Sequence, residues 1–84
     1  MASTYNDWDK LDEVSRDLER ARVSLTEEFD AIDWYQQRIA ATRDPELKRI
    51  LSHNRDEEKE HAAMLMEWIR KHDPEQEKAF KEHD

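Results

Sequence analysis

The sequence predicts an all-α fold: an antiparallel two-helix hairpin with a short C-terminal helix, dimerising into a four-helix bundle. Three observations carry that expectation. Apolar residues recur at alternating spacings of three and four along most of the chain, the period of helices that bury one stripe. Asp-Pro-Glu occurs twice, at Asp44-Pro45-Glu46 and Asp73-Pro74-Glu75, and each copy offers an N-cap, a proline suited to the first helical position and an acid in the first turn. Glycine is absent, so the tight turns that join β-strands have no material.

The first helix is expected over about residues 7–41, where Leu11, Val14, Leu18, Ala21, Leu25, Glu28, Ile32, Tyr35 and Ile39 form one seam. A second helix over about 45–72 carries the seam Leu47, Leu51, Asn54, Glu58, His61, Leu65, Trp68 and His72. A third, over about 75–82, is mostly polar, with Phe80 as its main apolar residue. The link around Thr42 to Asp44 is short, which folds the long helices back on each other. Glu28 and Glu58 each lie fifteen residues from Arg43. At about 1.5 Å per residue both sit roughly 22 Å from the turn, side by side.

With 84 residues the chain forms one domain, 1–84, small enough that a partner is expected to complete its core. Charged residues reach 43% and apolar ones only 36%, a balance near that of disordered chains, but strict periodicity argues for a solvated helical fold. The net charge of −8 disfavours nucleic acid or an anionic membrane as partner and favours cations. Cysteine is absent, which excludes disulfides and thiolate metal sites. The N-terminal stretch from Met1 to Trp8 lacks a basic, apolar leader and no apolar run reaches membrane-spanning length, so a soluble, cytoplasmic protein is expected.

Glu28 and the Glu58-Lys59-Glu60-His61 run are the candidate metal site. Di-metal centres of ferritin-like bundles take one Glu from each of two helices and a Glu-x-x-His from each of the other two. This hairpin carries half of that set. The Glu-x-x-His spacing alone is weak evidence: 12 Glu and four His in this length give roughly half a match by chance. Position strengthens it, because Glu28, Glu58 and His61 interrupt apolar seams that contain no Lys or Arg, and a carboxylate held there calls for a compensating charge. Two copies bring four carboxylates, which two divalent ions balance. Oxygen and imidazole donors suit Fe(II) and Mn(II), with Zn(II) a tight, redox-silent competitor. The opposing reading makes the seam breaks polar residues that fix register.

Glu27 and Asp30 flank Glu28 and are placed either as an acidic approach for cations or as an ordinary solvated face. Tyr35 lies on the seam, where it fills core or orients a ligand carboxylate, and Trp34 beside it reads equally well as packing. Met64, Met66 and Trp68 read as core or interface. His53, His72 and His83 read as surface histidines, and Asn54 as a register or ligand-orienting residue.

The run Glu27-Glu28-Phe29-Asp30-Ala31-Ile32-Asp33-Trp34-Tyr35-Gln36-Gln37-Arg38, followed by His53-Asn54-Arg55-Asp56-Glu57-Glu58-Lys59-Glu60-His61-Ala62-Ala63-Met64, closely resembles the encapsulated ferritin family. The resemblance extends from about Ser24 to Asp73. It implies a ferritin-like four-helix bundle built on homodimerisation, five dimers in an annular decamer, and an encapsulin shell as partner and compartment. It implies Glu28, Glu58 and His61 as ligands of a di-iron ferroxidase centre shared by two chains, with Tyr35 acting in catalysis and Trp34 and Tyr35 as the aromatic pair beside it. Glu27 matches an acidic uptake position, and Asp30 stands where the family usually has Glu. Family members carry a C-terminal targeting tail, and no such segment is visible up to Asp84.

The expected activity is oxidation of Fe(II) to Fe(III) by O2, with Glu28 bridging two irons and Glu58 and His61 terminal on each, supplying iron for mineral storage inside an encapsulin nanocompartment. A non-enzymatic helical assembly or cargo protein with structural Zn(II) or Ca(II), and a peroxidase or catalase-like di-metal enzyme, are the competing expectations.

Overall fold

The computed structural model describes residues 7–84, which leaves the stretch up to Asn6, read above for a leader, outside the described residues. A 3-10 turn, Trp8–Lys10, precedes three α-helices: α1, Glu13–Ala41; α2, Pro45–His72; and α3, Pro74–His83. The first helix therefore starts later than its heptad seam suggests. Leu11 is extended, and Asp12, extended as well, caps α1 by accepting the backbone N–H of Ser15 at 2.8 Å. A capping carboxylate at that point ends the option of a helix running through it. Upstream, the Trp8 ring lies under two guanidiniums, Arg16 at 5.3 Å and Arg20 at 5.2 Å, and Arg16 Nε also donates to the Trp8 carbonyl. These contacts fold the 3-10 turn against α1.

Asp44 caps α2 through one carboxylate oxygen, which accepts from Glu46 N–H at 2.9 Å and Leu47 N–H at 3.2 Å. Pro45, with no N–H to leave unsatisfied, occupies the first turn. Only residues 42–44 separate α1 from α2, so the helices return antiparallel along one another. Asp73 then ends α2 and caps α3, accepting from Gln76 N–H at 3.1 Å. Its other oxygen pairs with Arg22 Nη2 of α1 at 2.8 Å, which pins the α2–α3 joint to the far end of the hairpin. Arg70 of α2 bonds Glu77 and lies 4.4 Å over the Phe80 ring, holding α3 back against α2.

Among the described residues the core is thin. Ala21, Leu25, Ala62 and Ile69 form its buried cluster, with Ile32, Leu65, Met66 and Trp68 packed against it. Ile69, at 2% exposure, is the most enclosed of them. On α2 the inward positions thus include Ala62 and Ile69, each one residue past the seam positions His61 and Trp68. A step of one residue turns about 100° around a helix, so Ala62 and Ile69 face α1 while the seam residues Leu65 and Trp68 pack at the edge of that contact and His61 lies exposed. The whole is one helix layer, 16 Å in its shortest extent. Val14, Phe29, Trp34, Leu47, Ile50 and Met64 remain exposed. No helix among the described residues is long and apolar enough to cross a membrane.

Candidate metal centre

Glu28 projects from the middle of α1, and Glu58 and His61 project from α2 one turn apart. The antiparallel return brings them level, and one donor atom from each lies within 4.8 Å of the others. His61 Nδ1 is the ring nitrogen turned inward, 3.5 Å from Glu58 Oε2 and 3.7 Å from Glu28 Oε2. None of these is a hydrogen-bonding distance of ordinary strength. The three groups converge without satisfying one another.

Glu28 makes the point most sharply. Its Oε2 has no solvent contact and no hydrogen-bond partner. An unpartnered buried carboxylate oxygen is costly, and a cation or a proton removes the cost. Glu58, competing for a shared proton, holds the Glu28 carboxyl above its ordinary value of 4.5; burial and the Glu58 charge add to this, and His61 opposes it. The donor set of two carboxylates and one imidazole fits iron, manganese or zinc.

The cluster is open on one side. Glu28 and Glu58 side chains are 24% and 23% exposed and that of His61 is 50% exposed, so these seam residues lie on a lip rather than in a closed core. Beside them runs a groove of about 460 Å³, lined by Ser24, Glu28, His61, Met64, Leu65 and Trp68. The wall beyond Glu28 and His61 is largely apolar, formed by Met64, Leu65 and Trp68.

Other expected site residues are placed less tightly. Glu27 and Asp30 are exposed, and within the described part of this single chain they join no close group of three donors. Tyr35 is half-buried, its ring edge-on to Trp34 at 6.2 Å, and among the described residues its hydroxyl has no hydrogen bond to either carboxylate. Trp34 is exposed, with the Arg38 guanidinium stacked 3.3 Å above it. His53 pairs with Glu57 at 3.1 Å on the surface, and His72 stacks on Trp68 at 4.0 Å. Half-buried Asn54 lies one turn before Glu58. Arg55, which the seam pattern does not mark, crosses from α2 to α1 and donates to Gln36 Oε1 at 3.0 Å.

Fold and cluster together define a class: a helical hairpin bearing half of a ferritin-like carboxylate–imidazole set. The chain belongs to the EncFtn-like family, whose sequence model matches residues 3–83. It is 55% identical over 71 residues to an encapsulated ferritin-like protein of Rhodospirillum rubrum, covering 84% of this chain and 51% of that one. It is 49% identical over 75 residues to a ferritin-like protein of Thermotoga maritima, covering 88% of this chain and 66% of the other. A third relative, the encapsulin nanocompartment cargo protein EncC of Myxococcus xanthus, is 47% identical over 55 residues, covering 66% of this chain and 42% of EncC. The chain thus spans from about two fifths to two thirds of the length of these relatives. Among solved structures, protein ne0167 from Nitrosomonas europaea superposes with a TM-score of 0.86 at 53% identity, covering 95% of this chain and 89% of that one.

Proposed function

We propose that this protein is a ferroxidase that works as a homodimer, taking Fe(II) as substrate at a site shared by two copies. The observation that carries the reading is the convergence of Glu28, Glu58 and His61, with Glu28 Oε2 buried and unpartnered. One hairpin supplies two carboxylates and an imidazole on an open lip. A second hairpin packed on the same face supplies the other half of the ferritin-like set. Four carboxylates then balance two Fe(II) ions, and the exposed Met64 beside the lip is covered.

In this reading the protein holds two irons close together, with Glu28 bridging and Glu58 and His61 terminal. Each Fe(II) gives up one electron; O2 takes the pair with two protons and leaves as hydrogen peroxide. The carboxylates favour the higher charge of Fe(III) over Fe(II), and because the Glu28 carboxyl is raised above its ordinary value, protons compete with iron for it as pH falls. Glu27 and Asp30 are proposed to gather cations at the surface. Tyr35 and Trp34 are proposed to steady the surrounding helix.

The Rhodospirillum and Myxococcus relatives support placement in an encapsulin compartment, as cargo. An open assembly of dimers, a decameric ring in the proposal, cannot confine a mineral by itself. The surrounding shell would retain the Fe(III) this protein delivers.

Aerobic addition of Fe(II), followed by the near-ultraviolet absorbance of ferric species above a no-protein control, tests the activity. Glu28→Ala, Glu58→Ala and His61→Ala are each expected to abolish most of the protein-dependent rate. Undiminished oxidation by the Glu58→Ala protein overturns the site. Zn(II) binding without Fe(II) oxidation by the parent protein would instead favour a structural metal.

A further inference from the structure

Met64 follows His61 by one helical turn, and the two line the same groove as Glu28. Its side chain is not core: at 61% exposure it is among the most accessible large apolar residues of the described chain. Met66, two residues on, belongs to a different surface, lining a depression with Arg70 and Glu77 and packing partly against the core. Two residues turn about 200° around a helix, so the two sulfurs point to nearly opposite sides. Leucine would fill an apolar wall as well as methionine does, but only the thioether can accept an oxygen atom.

Resting on the ferroxidase reading above, we infer that Met64 is an oxygen-accepting site for the hydrogen peroxide formed at the iron centre. The sulfur attacks one peroxide oxygen. An S–O bond forms, the O–O bond breaks, and the second oxygen leaves with both protons as water, so that peroxide is reduced by two electrons and the thioether becomes a sulfoxide. The oxidant arises inside the groove, so the step does not need Met64 open to bulk solvent once a second copy covers this face. Capture there removes peroxide before it meets a second Fe(II), spares the His61 ring, and leaves a lesion that methionine sulfoxide reductases reverse.

The test is aerobic turnover of Fe(II) by the full chain under isotopically labelled dioxygen with catalase present, followed by peptide mass spectrometry and, in the same samples, Fe(II) consumption. The expected result is one labelled oxygen on Met64 and none on Met66. The Met64→Leu protein is expected to release more peroxide per Fe(II) consumed when catalase is left out. Normal Fe(II) consumption with unlabelled Met64, equal labelling of the two methionines, or loss of label when catalase scavenges bulk peroxide each overturns this inference and leaves the ferroxidase reading standing. No protein-dependent Fe(II) consumption overturns both.

Discussion

His61 of α2 presents Nδ1 to Oε2 of Glu28 of α1 at 3.7 Å, a gap too wide for a hydrogen bond and suited to a third body between them. Thirty-three residues of sequence separate the two, and the hairpin alone makes them neighbours. In the metal-free protein this arrangement leaves the Glu28 carboxyl, raised above 4.5 chiefly by Glu58, holding a proton more tightly than the unfolded chain does. Its contribution to stability is fully present below 4.5 and is lost as pH rises through the raised folded value. Thermal unfolding of the metal-free protein, followed by circular dichroism, is therefore expected to occur at higher temperature as pH is lowered from neutral towards that window. Glu28→Gln should flatten this part of the profile. An unchanged slope in Glu28→Gln assigns the effect to general relief of the net charge instead.

Metal binding and assembly should be one linked equilibrium. In the proposed dimer Glu28, Glu58 and His61 of each copy lie on an exposed lip, so ions that join two lips would stabilise it, by about 2.7 kcal/mol per site at roughly a hundredfold excess over the dissociation constant. Anaerobic Fe(II), or Zn(II), is expected to shift sedimentation towards larger species, and chelation to reverse the shift. His61→Ala should blunt it. Carboxylate removal also relieves repulsion, so Glu28→Ala and Glu58→Ala proteins are expected to lose metal response while retaining some metal-independent association.

Much of this was legible in the sequence because the chain punctuates itself. Asp44-Pro45 and Asp73-Pro74 combine a capping acid with a residue that tolerates only the first turn, and α2 and α3 start there. Equal distances from Arg43 placed Glu28 beside Glu58, because a link of three residues leaves little freedom in register. The start of α1 was less legible: Leu11 keeps the heptad spacing, but Asp12 and the Trp8 clasp of Arg16 and Arg20 act through side-chain geometry that spacing does not encode. Ala62 and Ile69 escaped the seam for a related reason. On α1 the buried residues Ala21, Leu25 and Ile39 are seam positions, whereas on α2 the contact lies one residue past His61 and Trp68, a rotation of the second helix about its axis that spacing does not encode.

Ile69 gives the packing test. It is 2% exposed within the cluster of Ala21, Leu25 and Ala62. Ile69→Ala should cost about 2–5 kcal/mol through lost burial and a cavity that a thin core closes poorly. Urea titration of the metal-free protein should show a lower midpoint with little change in slope. A cost below about 1 kcal/mol would place the effective core elsewhere.

Asp73 joins two tasks that can be separated by substitution. One oxygen caps α3 at Gln76 N–H, and the other pairs with Arg22 of α1. Together the backbone N–H and the guanidinium hold its carboxyl below the usual 3.8, with burial opposing, so the folded state binds the proton less tightly than the unfolded one. That stability is present above 3.8 and lost as pH falls through the lower folded value, the opposite sense from Glu28 and in a separate, more acidic window. Asp73→Asn keeps a good N-cap but removes the charge that Arg22 meets. It is expected to preserve slow amide exchange at Gln76 while freeing the Arg22 side chain. Asp73→Ala removes both contacts and should speed exchange through the first turn of α3. Arg22→Ala should match Asp73→Asn if the ion pair only anchors the joint, and should match Asp73→Ala if the cap depends on that anchor. Exchange rates at Gln76 and Glu77 distinguish these outcomes, because Gln76 reads the side-chain cap whereas Glu77 N–H bonds the Asp73 carbonyl, which every variant retains.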